Sequence, residues 1–382
     1  MKNIAVLGST GSIGTKTLDV VSELGDKFRI VALSAGANVE LLREQIKRFN
    51  PLVVSIASSN DADELRRKFH NLEILTGDEG LAAIASDKRI DIVVNAVVGA
   101  AGLNPSWNAV CAGKRLCTAN KESLVIAGAL LTQRAKETGA QIFPIDSEHS
   151  ALWQAMLSGK KSETKRLILT ASGGPFWGKD IDFDKVTVEQ ALAHPNWAMG
   201  SKISIDSATM MNKALEIIEA HWLFDIPPEC IEVVVHPQSI IHSIVEFVDN
   251  SQIAQMSLPD MRLPIQYALS YPIRFPSPIS LLNLQNVKQL EFFNPDNKKF
   301  PSIQLAYRAL SMGGTASATL NAANEIAVDA FLKGKIKFSR ISQLVEEALT
   351  NIPVVNADSI EAILIHHDSV CRWTIERIDE DN

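Results

Sequence analysis

Asp146 and Glu148 stand two apart in IDSEHSALW, and a third acid, Glu216, follows Asn212 by four residues and Lys213 by three in DSATMMNKALEIIEAHW. Three carboxylates with no thiolate and no obligatory imidazole form an oxygen-only donor set, which suits Mg2+ or Mn2+ and disfavours zinc. Taken singly, each acid reads as a surface cap or a salt-bridge partner. Taken with a lysine, an asparagine and the serines Ser147 and Ser207, they read as a metal site for a polyhydroxylated phosphate substrate. An extended Asp146-Ser147-Glu148 would turn both acid side chains to one face. A helix started by Ser207 would place Asn212 and Glu216 on one face at i, i+4.

Three further stretches carry chemistry. In LTASGGPFWG, Ser172 precedes Gly173 and Gly174, a turn whose hydroxyl and N–H groups can cradle a phosphate. AHPNWAMGSK places His194 and Trp197 in an irregular stretch flanked by proline and glycine, as a lid whose indole excludes water would be. ANKES follows a strand-like RLCT, so Asn120, Lys121 and Glu122 stand at the carboxyl end of a strand, the ligand side of an open parallel sheet. There Lys121 could orient a hydroxyl or shuttle a proton.

The elements that must position these residues begin with NIAVLGSTGSIGTKTLDVV, a strand running through Gly8, Gly11 and Gly14 into a helix. Glycines at such a turn let the backbone approach a pyrophosphate, and the helix N-terminus attracts its charge, so this is a dinucleotide site. An acid at the tip of the second strand would clasp the ribose diol of NAD. The tip here reads Ser34-Ala35-Gly36-Ala37-Asn38, with no acid before Glu40, which favours NADP.

Short β-branched runs alternate with amphipathic stretches over residues 1–146, the pattern of a Rossmann-like parallel sheet covered by helices. Residues 147–275 mix strands and helices as an α+β catalytic unit, with a hairpin at IHSIVEFVDNSQIAQMS turned by Asp249-Asn250-Ser251. A proline-rich linker covers 276–301, and 302–382 carries helical periodicity throughout, which reads as a C-terminal helical bundle.

At 46% hydrophobic and 21% charged, the 382-residue chain is globular and long enough for two or three domains, which excludes a disordered class. The net charge of −7 includes no basic block, so neither nucleic acid nor an anionic membrane is an expected partner. Cys111, Cys117, Cys230 and Cys371 form no CxxC pairing and read as reduced thiols. The first strand begins almost at Met1, leaving no room for a signal or transit peptide, and no apolar run reaches the roughly 20 residues of a membrane span, so a cytoplasmic protein is expected.

The order and spacing of GSTGSIG, ANKES, DSEHSA, SGGPF, HPNW, DSATMMNK and HPQS resemble the 1-deoxy-D-xylulose 5-phosphate reductoisomerases over essentially the whole chain. The resemblance implies a homodimer with NADPH and Mn2+ or Mg2+, Co2+ being a third candidate, acting on a sugar phosphate to give 2-C-methyl-D-erythritol 4-phosphate for isoprenoid precursors. It implies NADPH contacts from Thr10, Gly11, Ser12, Ile13, Gly36, Asn38, Asn120, Glu122 and Gly200, and metal ligation by Asp146, Glu148 and Glu216. It surrounds the substrate with Lys121, Ser147, Glu148, Ser172, His194, Ser207, Asn212, Lys213 and Glu216, of which Lys121, Glu148 and His194 are catalytic, and makes Trp197 the lid. Ala37 departs from the family, many of whose members carry a basic residue there, so a milder preference for NADPH over NADH is expected. The competing readings are another Rossmann-type NADP-dependent dehydrogenase of the semialdehyde or homoserine class, which needs no metal-binding acids, and a non-catalytic NADP-binding sensor.

Overall fold

The computed structural model describes residues 1–197, 199–277 and 279–381, which divide into two compact units. The first comprises 1–123, 129–150 and 260–280. Its sheet contains β1 (Lys2–Leu7), β2 (Phe28–Ala35), β3 (Val53–Ile56), β4 (Glu73–Thr76), β5 (Ile92–Asn95), β6 (Arg115–Thr118) and β7 (Gln141–Pro144), in the order β4-β3-β2-β1-β5-β6-β7. All neighbours run parallel, with Val6 opposite Leu33 on one side and Val94 on the other. Central strands of such a sheet are covered on both faces, which is why IAVL, IVAL and IVV are unbroken apolar runs rather than alternating ones. The chain order reverses between β1 and β5, and a ligand crevice opens beyond the carboxyl ends of strands at such a switch point. Six of the seven strands were legible as apolar runs. The edge strand β4 was not, because EILT offers too few residues to show a period.

A returning segment completes this unit. Helix Arg262–Ser270 is tied to β6 by the Arg115 guanidinium, which donates to the carbonyls of Leu269 at 3.1 Å and Tyr271 at 3.2 Å.

The second unit, 124–128, 151–259 and 281–382, is built on a four-stranded sheet. It holds β8 (Thr164–Ala171), β9 (Ile231–Val235), β10 (Ile241–Phe247) and β11 (Gln252–Met256) in the order β11-β10-β8-β9. The hairpin expected from VDNS is β10–β11, with Asn250 in the left-handed conformation of a turn. Leu167, Leu169 and Ala171 alternate into the main core, while Ile168 faces the other side with Ile241 and Ile244. That core is closed by helices Met211–Phe224, Ser302–Met312, Ala316–Leu332, Phe338–Asn351 and Ile360–Glu380. The last four are the helices that the C-terminal periodicity called for. Among the described residues, no helix is long and apolar enough to cross a membrane.

Candidate active site

The nucleotide turn follows β1. Gly8 is left-handed at φ 76°, and a Cβ there would sit 2.6 Å from the Ala96 carbonyl beyond β5; a Cβ on Gly14 would fall on the Gly8 carbonyl itself. The turn is therefore compressed against both its neighbours, and only hydrogen fits. Gly11 precedes helix Ser12–Leu24 without a side-chain cap, so the first-turn N–H groups at Ser12 and Ile13 remain available to an anion. Three residues missed in the sequence brace this turn. The Ser34 hydroxyl accepts from Gly8 N–H at 2.9 Å, the Ser9 hydroxyl lies 2.6 Å from Gln45 Oε1, and the Gln45 amide donates back to the Ser9 carbonyl at 2.9 Å. Beyond β2, Gly36, Ala37 and Asn38 are exposed, and Asn38 caps helix Val39–Phe49 through its side-chain oxygen. Glu40, the first acid after the strand, is bound to Arg43 at 2.5 Å.

Asn120 caps helix Lys121–Thr138, accepting from Ser123 N–H, and its amide donates to the carbonyls of Val97 and Gly99, both at 2.8 Å. The side chain is wholly engaged in joining the loops after β5 and β6, so a dinucleotide could be met there only by backbone. Glu122 is buried beside it.

Asp146 lies just beyond β7, and Ser147–Met156 is a helix, so the extended Asp-Ser-Glu expected from the sequence is not formed. Both acids instead sit at a helix N-terminus, where the peptide dipoles favour negative charge, and Ser147 donates to Glu148 Oε2 at 2.7 Å. Lys121 Nζ stands 2.5 Å from Asp146 Oδ2, both side chains being nearly enclosed. The helix pattern was lost on reading because its first turn is all polar.

In the second unit, Ser207 does not start the helix that carries Asn212. Helix Ser201–Ala208 ends there, Met210 turns left-handed at φ 60°, and helix Met211–Phe224 begins. A buried left-handed methionine costs on the order of 1 kcal/mol, so the surrounding packing must hold this corner. The corner places Asn212, Lys213 and Glu216 in the first turns of the second helix. Glu216 accepts from the Asn212 amide at 2.5 Å and from the Lys213 ammonium, and is 1% exposed. This i, i+4 pair is as the spacing required.

The phosphate-cradle residues meet at the same corner. Gly174 is left-handed, and a Cβ on it would lie 2.6 Å from the Ser207 carbonyl, so the Ser172 turn rests directly on Ser207. Ser172 Oγ lies 3.0 Å from His194 Nε2. His194 Nδ1 accepts from the backbone N–H groups of Asn196 at 3.2 Å and Trp197 at 3.0 Å, which puts the ring proton on Nε2, donating to Ser172. The Ser172 oxygen also accepts from Gly174 N–H, leaving its own proton for a phosphate oxygen. Burial lowers the His194 pKa below its ordinary 6.5, so the ring stays neutral near pH 7. Trp197 is half-buried, and Gly200 is the N-cap of helix Ser201–Ala208.

Comparison with known proteins places the whole chain in one family. Residues 4–128 match the 1-deoxy-D-xylulose 5-phosphate reductoisomerase model, 142–224 its C-terminal domain model, and 256–373 the DXP reductoisomerase C-terminal domain model. The 1-deoxy-D-xylulose 5-phosphate reductoisomerase of Thermodesulfovibrio yellowstonii is 49% identical over 365 residues, covering 95% of this chain and 96% of that protein. That of Pelodictyon phaeoclathratiforme is 52% identical over 352 residues, covering 91% and 92%. A DOX-P reductoisomerase crystal structure in complex with NADPH, fosmidomycin and magnesium superposes with a TM-score of 0.95 at 42% identity, covering 99% of this chain and 98% of that one. The Zymomonas mobilis enzyme in complex with NADPH does so with a TM-score of 0.92 at 39% identity, covering 99% of each chain. With the glycine turn, the paired acids and the Asn212-Lys213-Glu216 corner formed within a fold shared from end to end, the chain belongs to the 1-deoxy-D-xylulose 5-phosphate reductoisomerase family.

Proposed function

We propose that the two groups of residues act on one substrate, 1-deoxy-D-xylulose 5-phosphate. The enzyme is an NADPH- and divalent-metal-dependent reductoisomerase, and its product is 2-C-methyl-D-erythritol 4-phosphate. NADPH would be held at the turn from Gly8 to Gly14, with contacts from Thr10, Gly11, Ser12, Ile13, Gly36, Asn38, Asn120, Glu122 and Gly200, and would supply the hydride for the reduction. Asp146, Glu148 and Glu216 hold Mg2+ or Mn2+, which when bound polarises the substrate carbonyl. The residues fit such an ion in donor type: all three offer hard carboxylate oxygens, with the Lys121 ammonium beside Asp146 and the Lys213 ammonium beside Glu216.

The chain's own groups then divide the work. Ser172 and Ser207 donate to the phosphate, and His194 keeps the Ser172 proton directed outward. Ser147, Asn212 and Lys213 orient the substrate hydroxyls, Lys121 holds a proton at a reacting oxygen, and Trp197 covers the bound substrate against water. This assignment keeps residues 1–146 for the coenzyme, 147–275 for catalysis and dimerisation, 276–301 as linker and 302–382 as the helical part, in a cytoplasmic homodimer.

The observation that carries the reading is Glu216, a carboxylate almost without exposure that takes both an amide and an ammonium from its own helix. Burying a charge is costly unless it serves as a ligand or partner. The test follows NADPH absorbance with 1-deoxy-D-xylulose 5-phosphate, with and without Mn2+, in the parent and in Glu216→Gln. Metal-dependent oxidation in the parent is expected, lost by at least about a hundredfold in the variant while NADPH binding stays within twofold. Turnover without metal would favour an ordinary dehydrogenase, and NADPH binding without turnover a sensor.

A further inference from the structure

The corner that presents Ser207 and Asn212 is held from behind by the C-terminal helices, through two buried hydrogen bonds that the reaction itself does not use. Asp206, the residue before Ser207, is 1% exposed; it takes the Lys202 ammonium at 2.9 Å and, across 118 positions of sequence, the Asn324 amide at 2.8 Å. Three residues further on, the Thr209 carbonyl accepts from the Ser302 hydroxyl at 2.8 Å, also fully buried. Asn324 lies mid-way along helix Ala316–Leu332, and the nearby Ala322, Ala323 and Ala327 are buried with no exposure.

An amide placed in an alanine-rich core to meet a carboxylate is a poor source of net stability, since apolar packing of the same volume does as well or better. What it adds is direction, because a hydrogen bond constrains distance and angle where apolar contacts do not. The opposite side of the same corner has no slack, since Gly174 already lies against the Ser207 carbonyl. A helix end fixed on one side by Asn324 and Ser302, and abutted on the other by the Ser172 turn, holds the Ser207 backbone in one place.

We infer that Asn324 is a positioning residue for the phosphate end of the substrate: by holding Asp206 it sets where Ser207 points, with Ser302 acting likewise on Thr209. The inference rests on the phosphate reading of Ser172 and Ser207 given above. It makes the C-terminal helices part of the substrate-affinity machinery rather than a passive cover.

The test compares Asn324→Leu, Ser302→Ala and Ser207→Ala in the full enzyme, reading KM for 1-deoxy-D-xylulose 5-phosphate, inhibition by inorganic phosphate, NADPH affinity and thermal midpoint. Loss of one charge-assisted bond is expected to raise KM and the phosphate inhibition constant in Asn324→Leu together by about tenfold, with a smaller rise in Ser302→Ala. NADPH affinity should stay within twofold. A lowered thermal midpoint with parental KM and phosphate inhibition in both would overturn the inference, leaving the bonds as structural. If Asn324→Leu does not fold, Ser302→Ala decides on the same readouts. Parental KM in Ser207→Ala would instead show that the phosphate reading itself is wrong, which separates the two failures.

Discussion

At the scale of single residues, His194 shows how a side chain's partners fix its chemistry. Two backbone N–H groups occupy Nδ1, so protonation there would break both hydrogen bonds, and burial already disfavours the charged ring. The folded pKa thus lies below the ordinary 6.5. Between these two values the unfolded chain binds more protons than the folded one, so stability rises with pH through that window and is lost as pH falls through it. Acid should therefore release the 194–197 loop and weaken substrate binding. The kcat/KM profile is expected to fall on the acid side with a midpoint below 6.5. Because a substrate phosphate itself titrates near pH ~6, the comparison needs His194→Gln, which should flatten that limb beyond the substrate's own contribution. An identical limb in both proteins would show that His194 does not report there.

At the scale of elements, the irregular residues 193–197 and the helix break at Met210 matter most. Trp197 donates its backbone N–H to His194 Nδ1 at 3.0 Å and is half-buried. A core tryptophan cut to alanine costs about 3–5 kcal/mol. Trp197→Ala should cost less than about 1 kcal/mol by denaturant titration, yet raise KM for the substrate and lower kcat, as a cover over bound substrate requires. A large loss of stability with parental kinetics would make Trp197 a packing residue. The break at Met210 was hidden in DSATMMNK, since methionine carries no turn signal. The local pattern reads as one helix, and only packing against the rest of the unit makes the left-handed residue tolerable.

At the scale of the whole molecule, each unit has its own buried core, and the glycine turn belongs to the first while the C-terminal helices belong to the second. Leu320, fully buried in helix Ala316–Leu332, is far in sequence from every residue assigned to the coenzyme. Leu320→Ala should destabilise the second unit by about 2–5 kcal/mol. Under conditions where the variant remains folded, NADPH affinity by fluorescence titration should match the parent within twofold. With separate cores a single two-state midpoint is not assured, so calorimetry with and without NADPH is the appropriate measurement. A tenfold loss of NADPH affinity in the folded variant would refute the independence of the coenzyme turn.

Much of this protein is decided by local pattern. The glycine spacing from Gly8 to Gly14, the unbroken apolar strands, the Asn250 hairpin and the four C-terminal helices follow from short-range sterics and periodicity, which act over a few residues and are written in them. So does the i, i+4 pairing of Asn212 with Glu216. Tertiary structure decided what depends on partners distant in sequence. It set the helix that begins at Ser147, whose polar first turn gave no period to read, and the left-handed Met210 that separates Ser207 from Asn212. It paired Asp146 with Lys121, and Asp206 with an asparagine 118 residues away. Periodicity records which face of an element is apolar; which buried polar group meets which is settled only when separate elements pack, because a hydrogen bond needs its partner within about 3 Å and a sequence holds no distances.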